Sequence, residues 1–277
     1  MPELPEVESI KRVLEPQMRG RTIRDVAVRR PEVISCPPAD AGQFRERLLG
    51  RTFAGMERRG KFLLLLLDDG SHIILHLRMT GCLLLAPADL PEEKHTHVTF
   101  CLDNGGELRF SDQRRFGRLW LLGKDEEDLV SGMGRLGLEP FDQAFSAEYL
   151  QARLGKRKKA IKECLLDQSV VAGIGNIYSD EILFAARIYP GRPACSLRPE
   201  EWKGLAEAVS ERLAFFIEKN EITAEEYLAA KGQDYRNTPY LQVYGRQGKM
   251  CPVCGRVLER QVIGGRGSVY CPECQKK

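Results

Sequence analysis

Four of the nine cysteines crowd the last 27 residues as Cys251-x2-Cys254 and Cys271-x2-Cys274, with sixteen residues between the two pairs. Two knuckles at that spacing supply four thiolates for one tetrahedral zinc ion. All four coordination positions are then filled by protein, so the site is structural and leaves no open position for a substrate. Between the knuckles, Val262-Ile263-Gly264-Gly265-Arg266-Gly267 reads as the glycine-rich turn of a small hairpin, with Arg266 at its tip. An arginine held that way suits a phosphate or a groove. Ribbons of this kind also occur in proteins that catalyse nothing, so the motif alone implies no reaction.

The opposite end carries a second chemistry. Met1 precedes Pro2, a small residue after which removal of the methionine is expected, leaving a secondary amine. An α-amino group titrates near ~8, so part of it is unprotonated at neutral pH. Such an amine attacks a sugar C1′ or an aldehyde to form a Schiff base. Glu3 and Glu6 place carboxylates nearby for proton transfer. A third signal is Gly173-Ile174-Gly175-Asn176-Ile177-Tyr178. Its glycines permit a tight turn, Asn176 suits the N-cap of the helix that follows, and exposed amides at such a helix start attract an anion. Lys156 to Lys159 lie just upstream, which makes a nucleic-acid phosphate a fitting anion.

These residues need a frame. The first ~130 residues read as mainly β. A short helix is expected from Glu6 to Glu15, ended by Pro16, followed by strand-like runs at 22–28, 61–67, 72–77, 97–102, 107–111 and 118–122. Closely spaced strands favour a sandwich or barrel. Beyond Glu126 the segments 146–154, 158–168, 177–187 and 199–218 read as helices, with Ser146 capping the first. The stretch from Glu221 to Leu241 has no period and reads as a long loop. The expected class is α+β: a β-sandwich domain with flanking helices at 1–130, a helical domain at 131–240 and a zinc ribbon at 241–277.

With 43% hydrophobic and 29% charged residues the chain is neither disordered nor collagen-like. No apolar run approaches the ~20 residues of a membrane span. The N-terminus has no basic or apolar leader, so a cytoplasmic location is expected. The isolated cysteines Cys36, Cys82, Cys101, Cys164 and Cys195 then read as reduced thiols. The formal charge is only +3, but it is unevenly placed. Residues 151–162 hold six basic side chains and no acidic one, whereas 199–226 hold eight acidic against three basic. That asymmetry suits one face turned to a polyanion.

Seven motifs then stand in order: Met1-Pro2-Glu3-Leu4-Pro5-Glu6, Arg58-Arg59-Gly60-Lys61-Phe62, His76-Leu77-Arg78-Met79-Thr80-Gly81, Arg114-Arg115-Phe116-Gly117, the Gly173 turn, Val243-Tyr244-Gly245-Arg246 and the zinc ribbon. Over essentially its whole length the chain resembles the formamidopyrimidine-DNA glycosylase and endonuclease VIII family of base-excision repair enzymes. The resemblance implies a helix-two-turn-helix fold for the helical domain, and excision of oxidised purines with strand nicking by β,δ-elimination. It makes Pro2 the nucleophile and Glu3 the general acid and base, supported by Glu6. Lys61, Asn176, Tyr244 and Arg266 match phosphate ligands, with Lys61 and Arg266 counted in the catalytic group. Met79, Arg114 and Phe116 match the trio that enters the duplex, the apolar pair filling the vacated stack and the arginine reading the orphaned base. His76, His95, Arg115 and Lys156 are counted with the DNA-contacting positions.

The expected partner is double-stranded DNA carrying a damaged base or an abasic site, met by a monomer with one structural zinc and no catalytic metal or organic cofactor. One stretch departs from the purine-directed pattern, which has a glycine pair where Lys219-Asn220-Glu221-Ile222-Thr223 stands. Two alternatives follow: an endonuclease VIII-like enzyme for oxidised pyrimidines, and a binder of damaged DNA without turnover.

Overall fold

The computed structural model describes residues 2–35, 40–232 and 235–276. They form two compact units, one of Pro2, Glu6–Gly134 and Glu221–Tyr235, the other of Glu3–Pro5, Arg135–Asn220 and Arg236 onward. Helix α1 (Leu4–Met18) outruns the expected 6–15 because Pro16 sits inside its last turn. Proline there forfeits its bond to the Arg12 carbonyl and crowds that oxygen, but Leu14 and Met18 on either side of it are buried, and the Gln17 side chain donates to Val13 O at 2.7 Å. Val7, Ile10 and Leu14 enter the core of the β unit at helical spacing.

Strand β1 (Ile23–Val28) is followed by α2 (Ala41–Leu48), which the pattern missed because only Phe44 and Leu48 are buried along it. Then come β2 (Phe53–Arg59), β3 (Phe62–Leu67), β4 (His72–His76), β5 (Gly81–Pro87), β6 (Thr96–Leu102), β7 (Gly106–Asp112) and β8 (Arg118–Leu122). Two antiparallel four-stranded sheets result, in the orders β1-β6-β7-β5 and β2-β3-β4-β8. Leu63 and Leu65 of β3 share one core with Val98 and Phe100 of β6, which makes the unit a sandwich, one of the two arrangements that the strand spacing favoured. The unforeseen strands β2 and β5 carry a glycine, charges and a proline, which hide a strand's alternation.

In the second unit, α3 (Ala147–Leu154) is capped as expected, Ser146 Oγ accepting from Tyr149 N at 3.2 Å. Helices α4 (Ile161–Leu165), α5 (Asn176–Ala185) and α6 (Pro199–Lys219) bury Leu165, Ile182 and Leu213 in one core. Within 221–241, expected to be loop, a short α7 (Ala224–Ala229) forms. It is too brief to show a period, and its signal is local: Thr223 and Glu226 cap one another through side chain and backbone, at 3.3 and 3.0 Å. Tyr227 is buried in the β unit's core and donates to Leu83 O at 2.8 Å. Residues 221–235 therefore pack with the β unit, so the helical stretch 131–240 is not contiguous in the fold. The chain closes on a hairpin, β9 (Glu259–Ile263) with β10 (Arg266–Tyr270). Among the described residues no helix is long and apolar enough to cross a membrane.

Candidate active site and nucleic-acid interface

Glu3 is almost fully buried, and its carboxylate accepts from three main-chain amides at the start of α5. Gly175 N is 2.8 Å from Oε2, Ile177 N 3.0 Å from Oε1 and Tyr178 N 3.3 Å from Oε2. The sequence pattern left these amides open to a nucleic-acid phosphate with Asn176 as the cap. Instead Gly175 is the N-cap and Asn176 the first helical residue. The chain's own carboxylate reaches the amides first, delivered by the bond from Leu4 N to Gly173 O at 3.1 Å. Both glycines are required: Gly173 has φ +93, and a Cβ at Gly175 would lie 2.3 Å from the Glu3 carboxyl.

Pro2 lines a cavity of about 430 Å³ in the β unit, with Met79, Thr80, Cys82, His95 and Asp112 among its walls. That volume falls in the ordinary range for small-ligand sites. Glu6 is buried in the same unit. Met1 and Cys36 lie outside the described residues.

Two turns beside the cavity hold the trio expected to enter a duplex. Met79 and Phe116 are 44% and 49% exposed, against the burial usual for such side chains. Arg114 lies between them, Nη1 3.1 Å from Met79 Sδ and Cζ 4.9 Å above the Phe116 ring. Arg115 is exposed on the second turn. Each apolar tip follows an arginine in left-handed backbone, Arg78 at φ 55 and Arg115 at φ 57. Non-glycine residues seldom adopt that conformation, and among the described residues only Arg187 and Lys231, just past α5 and α7, share it.

Lys61, just ahead of β3, is buried, and His76 ends β4 opposite Phe62, whose ring it meets edge-on at 4.6 Å. Burial, then the Arg78 and Lys61 charges, push the His76 imidazole down to about 3, so it is neutral. Arg78 N donates to its Nδ1 at 2.9 Å, which leaves the ring proton on Nε2. Lys156 is exposed just beyond α3.

Two adjacent acids on α5, both 1% exposed, organise the rest of the helical unit. Glu181 accepts from Gln242, Val243 and Tyr244 N, each at 2.9 Å, fixing the turn that carries Tyr244. Asp180 accepts from Val269 N at 2.9 Å and pairs with fully buried Lys162 at 2.6 Å, and Lys162 also donates to Gly267 O. Asn176 Nδ2 donates to the same carbonyl at 3.2 Å. Arg266 therefore leaves a hairpin anchored from below. It stands exposed beside Gly264 and Gly265, whose φ values of 56 and 74 close a two-residue turn. Sequence reasoning passed over Asp180, Glu181 and Asp112, since nothing in a lone acidic residue distinguishes a buried acceptor from a solvated one.

Cys251, Cys254, Cys271 and Cys274 bring their sulfurs within 4.8 Å of one another. Tetrahedral zinc with Zn–S near ~2.3 Å sets its sulfurs about 3.8 Å apart. The observed 3.9 Å between Cys251 and Cys274 and 3.4 Å between Cys254 and Cys271 fit that cage and exclude a disulfide. The site is built for one structural zinc.

Comparison with known proteins agrees with this architecture in all three parts. Residues 1–119 match the formamidopyrimidine-DNA glycosylase N-terminal domain, 136–227 its H2TH domain, and 248–277 the zinc finger found in FPG and IleRS. The formamidopyrimidine-DNA glycosylase of Desulforamulus reducens is 47% identical over 277 residues, all of this chain and 99% of the relative. The Lactococcus lactis Fpg solved with DNA containing an oxidised pyrimidine superposes at TM-score 0.91 with 35% identity, covering 100% of both chains. The same enzyme with Fapy-dG DNA gives 0.89 and 34%, over 99% of this chain and 100% of that one. The chain belongs to the formamidopyrimidine-DNA glycosylase family.

Proposed function

We propose that this base-excision glycosylase and abasic-site lyase extrudes an oxidised base from duplex DNA and attacks the sugar through Pro2. One observation carries the reading. The residue after Pro2 is a buried carboxylate locked by three amides, and Pro2 itself lines a cavity with room for a nucleobase.

With Met1 removed, the Pro2 nitrogen donates its lone pair to C1′, and the glycosidic bond breaks with its electrons leaving on the base. Glu3 takes the N–H proton that Pro2 sheds after attack and passes it to the ring oxygen as the sugar opens, so that an iminium joins Pro2 to C1′. Loss of a C2′ proton expels the 3′ phosphate, a second elimination expels the 5′ phosphate, and water releases the sugar fragment from Pro2. Lys61, His76, Asn176, Tyr244 and Arg266 hold phosphates, with His95, Arg115 and Lys156 as further contacts. Met79, Arg114 and Phe116 occupy the vacated stack, whose opening costs a few kcal/mol when unfilled. The enzyme works as a monomer in the cytoplasm, associated with the nucleoid.

Oxidised purines, 8-oxoguanine and formamidopyrimidines, are the first substrates. Oxidised pyrimidines are the second, because Lys219-Asn220-Glu221-Ile222-Thr223, which leads into α7, stands where the purine-directed pattern has glycines. Borohydride is expected to trap the enzyme covalently on lesion duplex, with Pro2→Gly abolishing the adduct. Glu3→Gln should lose base excision and keep more of its cleavage at a preformed abasic site. No adduct with 8-oxoguanine, formamidopyrimidine, dihydrouracil or abasic duplex refutes the proposal and selects a binder without turnover. Relative rates on that panel decide between the purine and pyrimidine readings.

A further inference from the structure

We infer that Asp112 is the positioning residue that sets the two intruding turns, and through them the extrusion of the base. The inference rests on the reading of Met79 and Phe116 as duplex wedges. Asp112 ends β7 opposite Gly81, the first residue of β5, and is 1% exposed. One carboxylate oxygen accepts from Thr80 Oγ1 at 2.5 Å and Arg114 N at 3.1 Å; the other accepts from Gly117 N at 2.7 Å. These donors flank Met79 on one turn and Phe116 on the other. A single buried acid thus ties both turns, each already bent through a left-handed arginine.

The anchor is itself fixed. Asp112 N donates to His95 O at 3.0 Å, and the His97 ring meets Asp112 O at 2.7 Å. The turns have little slack elsewhere. A Cβ at Gly117 would lie 2.6 Å from Phe110, and one at Gly81 would lie 2.4 Å from Leu77 O. Hydrogen bonds to a buried carboxylate are strong, and leaving their donors unpaired is costly, so the ties hold the tips out against their tendency to collapse inward. Asp112 also borders the cavity that holds Pro2. Its part in the reaction is exerted through the wedge, as it ties together the turns that keep the tips in place while the base is out.

Asp112→Asn keeps the volume but turns an amide donor toward Thr80, Arg114 N or Gly117 N. Excision from duplex is expected to fall on the order of tenfold or more, as a misplaced wedge does. Borohydride trapping on a single-stranded abasic oligonucleotide, which needs no extrusion, should stay within about twofold. Stopped-flow fluorescence of 2-aminopurine beside the lesion should show slower extrusion. In the double variant with Phe116→Ala, the losses should not multiply, because both act on one step. If Phe116→Ala alone leaves extrusion unchanged, the wedge reading fails. If it slows extrusion while Asp112→Asn impairs duplex and single-strand reactions equally, or multiplies with it, the positioning role is overturned. Thermal melting and the milder Thr80→Val, which removes the Thr80 bonds to Asp112 and Arg114 N and leaves the carboxylate in place, separate either outcome from simple misfolding.

Discussion

Glu3 illustrates how one missing methyl group can decide a chemistry. Its carboxylate sits where a helix start would otherwise hold an external anion, and it fits there because Gly175 has no side chain. The Gly175 backbone, at φ −126 and ψ −159, is extended and open to any residue. Gly175→Ala therefore adds no backbone strain; its new carbon would lie 2.3 Å from the Glu3 carboxyl, its nearest neighbour, and must expel it. The expected result is a folded protein, destabilised by about 1–3 kcal/mol as three amides lose their acceptor. Base excision should fall on the order of a hundredfold for loss of a positioned acid. Circular dichroism melting and single-turnover excision check the two halves. Full activity in the alanine variant would mean that Glu3 need not occupy those amides.

At the level of elements, much was legible because the signals were local or periodic. The cysteine spacing, the Gly264-Gly265 turn and the Ser146 cap each read as they fold. What escaped lay in tertiary context: α7 is defined by Thr223, Glu226 and the burial of Tyr227, and Pro16 continues a helix because buried Leu14 and Met18 hold it. The helix start at Asn176 was visible, but its occupant comes from the far end of the chain. The zinc hairpin tests how elements share their support. Cys251 and Cys271 are buried with Phe184, Val243 and Val269, while Lys162 and Asp180 grip β10 independently. Zinc stripped by a chelator, or lost through Cys254→Ser, should raise amide exchange from Lys249 to Gln275 and weaken binding to abasic duplex. Tyr178, Ile182 and Leu183 of α5, buried in the core of the helical unit, should stay protected. Unchanged exchange in β9 and β10 would show that the Lys162 and Asp180 grip suffices without metal.

For the whole molecule, a charge of +3 understates its affinity for a polyanion, because acidic side chains gathered in 199–226 cancel basic ones placed elsewhere. Affinity should follow the phosphate ligands and not the net charge, with each released counterion adding about 0.9 to the slope of log K against log salt. The proposed ligands then divide by charge. Lys61→Ala and Arg266→Ala should each weaken binding and flatten that slope by about one. His76 belongs to the other class, since burial beside Arg78 and Lys61 holds its imidazole near 3, and as a phosphate contact its Nε2 would donate as a neutral group. His76→Gln should therefore weaken binding with the salt slope unchanged, and the wild-type affinity should show no step from His76 between pH 5 and 8. The sign for stability runs the same way. Protonation is penalised in the folded state, so this group's contribution is complete above about 6.5 and is lost as the pH falls toward 3. A salt slope that drops by one in His76→Gln would mean that the imidazole meets DNA as a cation, and the neutral-donor assignment would fall.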